Sequence, residues 1–157
     1  MEKRTEQALL VIKEFGLHRK ELNLIGFSMV AYNALHIATK LTVARLGLAI
    51  PAVYSSEAAK LNFDESFTVC IRKHKSWIDS ECFNMVKAFP GKLLVISAEQ
   101  DSIIPSGIPC RLTERAERCS SAEHHCIRNA DHDLAKHFNK HPEARYSTLA
   151  SILRWLE

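Results

Sequence analysis

Three short stretches of the chain carry side chains able to do chemistry. Ser28 lies in Gly26-Phe27-Ser28-Met29-Val30, Asp101 in Glu99-Gln100-Asp101-Ser102, and His132 in Asn129-Ala130-Asp131-His132-Asp133. Serine, carboxylate and histidine form the set used by nucleophilic acyl transfer. The serine stands between a strand-like run and a helical one. A sharp turn at such a junction lifts the hydroxyl above a sheet, and the Met29 backbone N–H at the start of the helix can then face a developing oxyanion. Gly26 meets the need for a small residue where strand and helix approach closely. Val30 stands where the full G-x-S-x-G pattern has its second glycine, and a β-branched residue there either strains the turn or moves the helix outward. Taken alone, a serine in this setting is more often an N-cap than a nucleophile.

The elements that must hold these residues alternate between helix and strand, which predicts an α/β fold with parallel strands. Helical spacing runs over Thr5 to Phe15 and over Met29 to Leu46. Strand-like runs are Leu22 to Phe27, Leu48 to Tyr54 (with Pro51 inside it), Lys92 to Ala98 after a Pro90-Gly91 turn, and more weakly His125 to Asn129. Ser80 to Phe89, Leu112 to Cys119 and Pro142 to Leu156 read as helices, the last opened by its proline. The expected result is one domain over 1–157, with about four strands, four or more helices, and 55–90 as a cap or insert. Asp101 falls just past the carboxyl end of the clearest strand, where open α/β sheets place functional groups. Serine, acid and histidine follow in that chain order.

On these residues the sequence resembles the α/β-hydrolase family, in particular its esterase and thioesterase-like members. Ser97-Ala98-Glu99-Gln100-Asp101-Ser102-Ile103-Ile104-Pro105 is similar to the family's G-E-x-D-x-x-I-P after a strand, with alanine for glycine. Ala130-Asp131-His132-Asp133-Leu134 is similar to its histidine turn before the last helix, and Val53-Tyr54-Ser55-Ser56 is likewise familiar. The resemblance spans Leu22 to Glu157. It implies Ser28 as nucleophile, His132 as general base and Asp101 as the acid that fixes the histidine tautomer; Glu99 is the competing acid, and its position one turn earlier suits a structural or loop-fixing residue better. It also implies that the strands before the serine strand are missing from this chain. The loop after the third strand, source of the family's second oxyanion N–H, goes with them. The expected fold is a truncated α/β-hydrolase-like parallel sheet whose serine strand forms an open edge, covered by a second copy of the chain or by a partner completing the sheet.

Composition narrows the function. The apolar fraction of 46% and charged fraction of 25% are those of a globular domain. A net charge of +3 and scattered basic residues do not suit nucleic acid, and Arg72-Lys73-His74-Lys75 reads as a solvated surface run. No apolar run is long enough for a membrane span, and no secretory leader is visible at Met1. Five irregularly spaced cysteines suit reduced thiols in the cytoplasm. No cofactor is called for. His137 and His141 share a helical spacing, but without a complete ligand set no metal is expected. Two functions remain open: a serine hydrolase of small esters or thioesters, and a non-catalytic, dimeric hydrolase-derived fragment or binding module.

Overall fold

The computed structural model describes residues 1–157. Its centre is a parallel sheet of four strands in the order β1 (Leu22–Phe27), β2 (Val43–Ala49), β3 (Lys92–Ala98) and β4 (Ser121–Ile127). Eight α-helices flank it: α1 (Glu2–Glu14), α2 (Met29–Ala38), α3 (Ser56–Lys60), α4 (Glu65–Arg72), α5 (Cys82–Ala88), α6 (Gly107–Glu114), α7 (Leu134–Lys140) and α8 (Pro142–Leu156). No helix is long and apolar enough to cross a membrane.

The sheet's two faces build two cores, as the alternation of side chains along a strand requires. Leu93 and Val95 of β3 join Leu35 of α2, Val86 of α5 and Leu112 of α6 in the larger one. Leu94 and Ile96 point the other way, against Trp155 of α8. That indole also donates to the Lys92 carbonyl at 3.2 Å, which fixes the final helix across the middle of the sheet. β3 is central, apolar on both faces, and its six residues from Leu93 to Ala98 are all buried. β1 is an edge strand, and on its outer face Ile25 and Phe27 remain 44% and 53% exposed.

The boundaries of β1, β3 and α8 agree with the sequence reading. The long helix expected over Met29 to Leu46 is instead α2 followed by β2, which starts at Val43 rather than Leu48. Helical periodicity continues through Leu41 and Ala44, but Thr39 and Thr42 are poor helix formers, and Arg45 spends its charge on the Trp155 carbonyl at 2.9 Å. Ile50 to Tyr54, expected as strand, is a loop that turns beneath the serine, with Ile50 in a left-handed conformation (φ 42°). The helix expected over Leu112 to Cys119 is α6, which starts five residues earlier and ends at Glu114. β4 begins at Ser121, earlier than expected and ending at Ile127, because an exposed edge strand shows no apolar run.

Candidate active site

Ser28 occupies the turn between β1 and α2 with φ 47° and ψ −119°. A non-glycine residue in that region is strained, and such outliers persist only where their surroundings hold them. Two backbone bonds do so here. Ser28 N–H donates to the Ala49 carbonyl at 2.9 Å, and the Ser28 carbonyl accepts from Ala52 N–H at 3.0 Å. The turn also needs Gly26. A Cβ there would lie 2.7 Å from Ala31 Cα and 2.8 Å from the Val30 carbonyl. Val30, in place of the second glycine, is 52% exposed, so about half of its bulk lies in solvent. The serine side chain makes no capping bond to α2, which removes the N-cap reading of this residue.

Asp101 and His132 arrive on the loops after β3 and β4. Glu99 ties these loops together. Its N–H donates to the Ile127 carbonyl at 3.0 Å, and its carboxylate accepts the Asn129 N–H at 2.8 Å. Gln100 N–H adds a bond to the Ala130 carbonyl at 2.8 Å. Asp101 Oδ1 accepts from the N–H groups of Ile103 and Ile104 at 2.8 and 2.9 Å, leaving Oδ2 aimed at the histidine.

The three side chains expected from the sequence therefore come together. Ser28 Oγ lies 3.2 Å from His132 Nε2, and His132 Nδ1 lies 2.8 Å from Asp101 Oδ2. The Asp101 side chain is only 4% exposed and that of His132 28%. An ionised carboxylate accepts only, so the ring proton belongs on Nδ1, and Nε2 is free to accept the serine proton. Met29 opens α2, so its N–H has no acceptor within the helix and lies beside the serine. Its thioether touches Arg4 of α1 at 3.4 Å.

A cleft of about 430 Å³ opens from Ser28. One wall is apolar, made by Val53, Tyr54, Phe67, Ile104 and Ile108, and burial pushes the Tyr54 phenol up to about 12. Arg72-Lys73-His74-Lys75 lines the same cleft. These four are exposed, as the sequence suggests, yet their place beside the serine was not legible, because a charge run carries no sign of what it faces. A second serine–histidine contact, Ser97 Oγ to His124 Nε2 at 2.8 Å, lies in a smaller cavity of about 190 Å³ behind Asp101. Ser97 sits within β3 and has no strained turn, and burial keeps His124 below the usual histidine value. His137 and His141 stack at 4.5 Å between ring centres, and His141 Nδ1 lies 3.3 Å from Glu143; no three metal-ligating side chains converge.

No protein-family model matches the chain, and no curated protein matches it in sequence. Solved structures do match it in shape. A monoacylglycerol lipase from Paleococcus ferrophilus superposes with a TM-score of 0.69 at 16% identity, over 99% of this chain and 74% of that one. An alpha/beta hydrolase enzyme from the metagenome of lagoon sediments at Mar Chica, Morocco, gives 0.66 at 15% identity, over 96% and 68%. The chain has the α/β-hydrolase fold. A predicted CIB-like hydrolase from Thermoplasma acidophilum gives 0.60 at 16% identity, over 96% of this chain and 57% of that one. Against these three hydrolase structures the chain spans between 57% and 74% of their length. Within the α/β-hydrolase fold the serine turn, the acid loop and the histidine loop lie at the carboxyl ends of β1, β3 and β4, on one rim of the sheet.

Proposed function

We propose that the chain is a serine hydrolase, an esterase or thioesterase that works through an acyl-Ser28 intermediate. The observation that carries this reading is the strained Ser28 turn with its hydroxyl 3.2 Å from His132 Nε2. In the first half-reaction His132 takes the Ser28 proton as Oγ bonds to the carbonyl carbon. The oxyanion forms against the Met29 N–H, and its collapse breaks the bond to the alcohol or thiol, which leaves with the proton from His132. In the second half His132 deprotonates a water that attacks the acyl-serine, and Ser28 recovers the proton as the acid departs. Asp101 holds the ring tautomer throughout and faces the imidazolium. The cleft volume suits a small ester or thioester. The five cysteines are free thiols, which accords with a cytoplasmic setting. The open edge of β1 is proposed to be covered by a second copy of the chain.

The second reading, a non-catalytic hydrolase-derived fragment, is favoured by one observation: β1 is an edge of this four-stranded sheet, and no strand pairs with it on the side away from β2 to lead into a loop with a second oxyanion N–H. Losing one oxyanion donor lowers turnover by about 10²- to 10³-fold. Turnover of p-nitrophenyl butyrate by the wild type and Ser28→Ala separates the readings. The hydrolase reading expects measurable turnover that the substitution abolishes. Equal, negligible turnover by both proteins is the outcome of the other.

A further inference from the structure

The cleft that Ser28 lines also carries a basic segment. Of the residues that line the cleft, Arg72, Lys73, His74 and Lys75 are basic and none is acidic. Lys73 has a partner in Glu57 at 3.8 Å, whereas Arg72, His74 and Lys75 have no carboxylate within ion-pair distance. The segment is fixed in place rather than trailing into solvent. Lys75 turns the chain with φ 53°, its carbonyl accepts from Ile78 N–H at 2.9 Å, and Ser76 Oγ donates to the Ile71 carbonyl at 2.8 Å. Trp77 then closes the segment onto Phe83 and onto Gly107, where a Cβ would lie 2.9 Å from the indole. Arg111 donates to the Ile78 carbonyl at 2.8 Å from the other side. A cleft walled by apolar side chains and rimmed by uncompensated cations concentrates field at its mouth and favours an anionic ligand.

We propose that the cleft takes an ester or thioester carrying a carboxylate or phosphate away from the scissile carbonyl, with that anion held by Arg72 and Lys75. The proposal rests on the reading of Ser28 as the acyl acceptor. The apolar wall from Val53 to Ile108 takes the carbon chain. The guanidinium of Arg72 can grip either anion in two bonds, while Lys75 contributes a point charge.

The test is binding to the Ser28→Ala protein, read by the fluorescence of Trp77, with matched uncleaved esters. One pair places the charge on the acyl side: the p-nitrophenyl hemiester of glutarate against p-nitrophenyl pentanoate. A second set places it on the alcohol side: phenyl butyrates bearing a para carboxylate, phosphate or neutral methyl ester. The expected result is at least one anionic ester bound about fivefold or more tightly than its neutral match at low ionic strength. That ratio falls towards one in R72Q/K75Q and in about 0.5 M salt. Ratios under about twofold in every pair, or a ratio that R72Q/K75Q and salt leave intact, overturn the proposal. The salt series on the otherwise unaltered rim decides the matter if R72Q/K75Q does not fold. Parallel turnover by the wild type keeps the two readings apart. Ser28-dependent turnover without charge preference removes only this proposal, and charge preference without Ser28-dependent turnover removes only the hydrolase reading.

Discussion

Asp101 Oδ2 lies 2.8 Å from His132 Nδ1 while Oδ1 of the same carboxylate is held by two backbone N–H groups. One oxygen anchors the side chain, so the other can set the histidine tautomer. Asp101→Asn keeps an acceptor for the backbone but turns an amide NH₂ towards Nδ1. The ring proton then moves to Nε2, where it blocks proton transfer from Ser28. The expected loss in kcat is about 10⁴-fold with little change in urea midpoint. Glu99→Ala instead removes the acceptor of the Asn129 N–H, at a cost of about 1 kcal/mol in stability and less than about tenfold in kcat. Kinetics of the two variants side by side check the assignment, and a Glu99 variant as damaging as Asp101→Asn would reverse it.

Gly26 and Val30 flank the serine with opposite tolerances. A Gly26→Ala Cβ meets the backbone of Val30 and Ala31 within 2.9 Å, and neither can yield without moving α2. The expected cost is about 1–3 kcal/mol in unfolding free energy, together with loss of the Ser28 turn. Val30→Gly restores the full motif at an exposed site. It is expected to cost about 0.5 kcal/mol through helix propensity and to change kcat by less than about twofold. Urea unfolding and ester turnover measure both, and a large gain in rate from Val30→Gly would mean that the valine does strain the turn.

Those tolerances show how far the sequence could be read. The serine turn, the acid loop and the histidine loop were legible because each joins a punctuated element end to a reactive side chain in a fixed chain order. β3 was legible because a central strand buried on both faces is apolar throughout. β2 and β4 were displaced for opposite reasons: Arg45 inside β2 satisfies its charge on a distant carbonyl, and β4 is polar because it is exposed. The rim at Arg72 to Lys75 was invisible, since its role depends on Trp77 meeting Gly107 across the fold.

Two histidines on β4 make stability depend on pH. His125 contacts Thr148 at 3.1 Å and Ser151 at 3.3 Å, with Arg154 donating to the same Ser151 hydroxyl. Burial lowers both His124 and His125 below the ordinary value of 6.5, and repulsion from His125 adds to it at His124, repulsion from Arg154 at His125. The folded state thus binds fewer protons than the unfolded chain below 6.5. Their contribution is present above that value and is lost as pH falls through the lowered folded values. Unfolding free energy should drop from about pH 7.5 to about pH 5.5, and H124Q/H125Q should drop less. An equal drop in both proteins would contradict this.

The edge of β1 carries the proposed dimer. Pairing through Ile25 and Phe27 predicts a light-scattering mass of twice 17.8 kDa at micromolar concentration. Ile25→Lys puts a charge on the edge and should return the mass to that of one chain. A wild-type mass of one chain would end the dimer proposal.

Activation of Ser28 by His132 is tested most directly by a covalent probe. A fluorophosphonate reacts only with a serine whose proton a neighbouring base removes, and peptide mass spectrometry locates the adduct. One phosphonyl group is expected on the peptide containing Ser28, formed by the wild type, greatly slowed in His132→Ala and absent from Ser28→Ala. An unmodified Ser28 peptide after prolonged exposure, or an adduct that forms equally fast without His132, would contradict it.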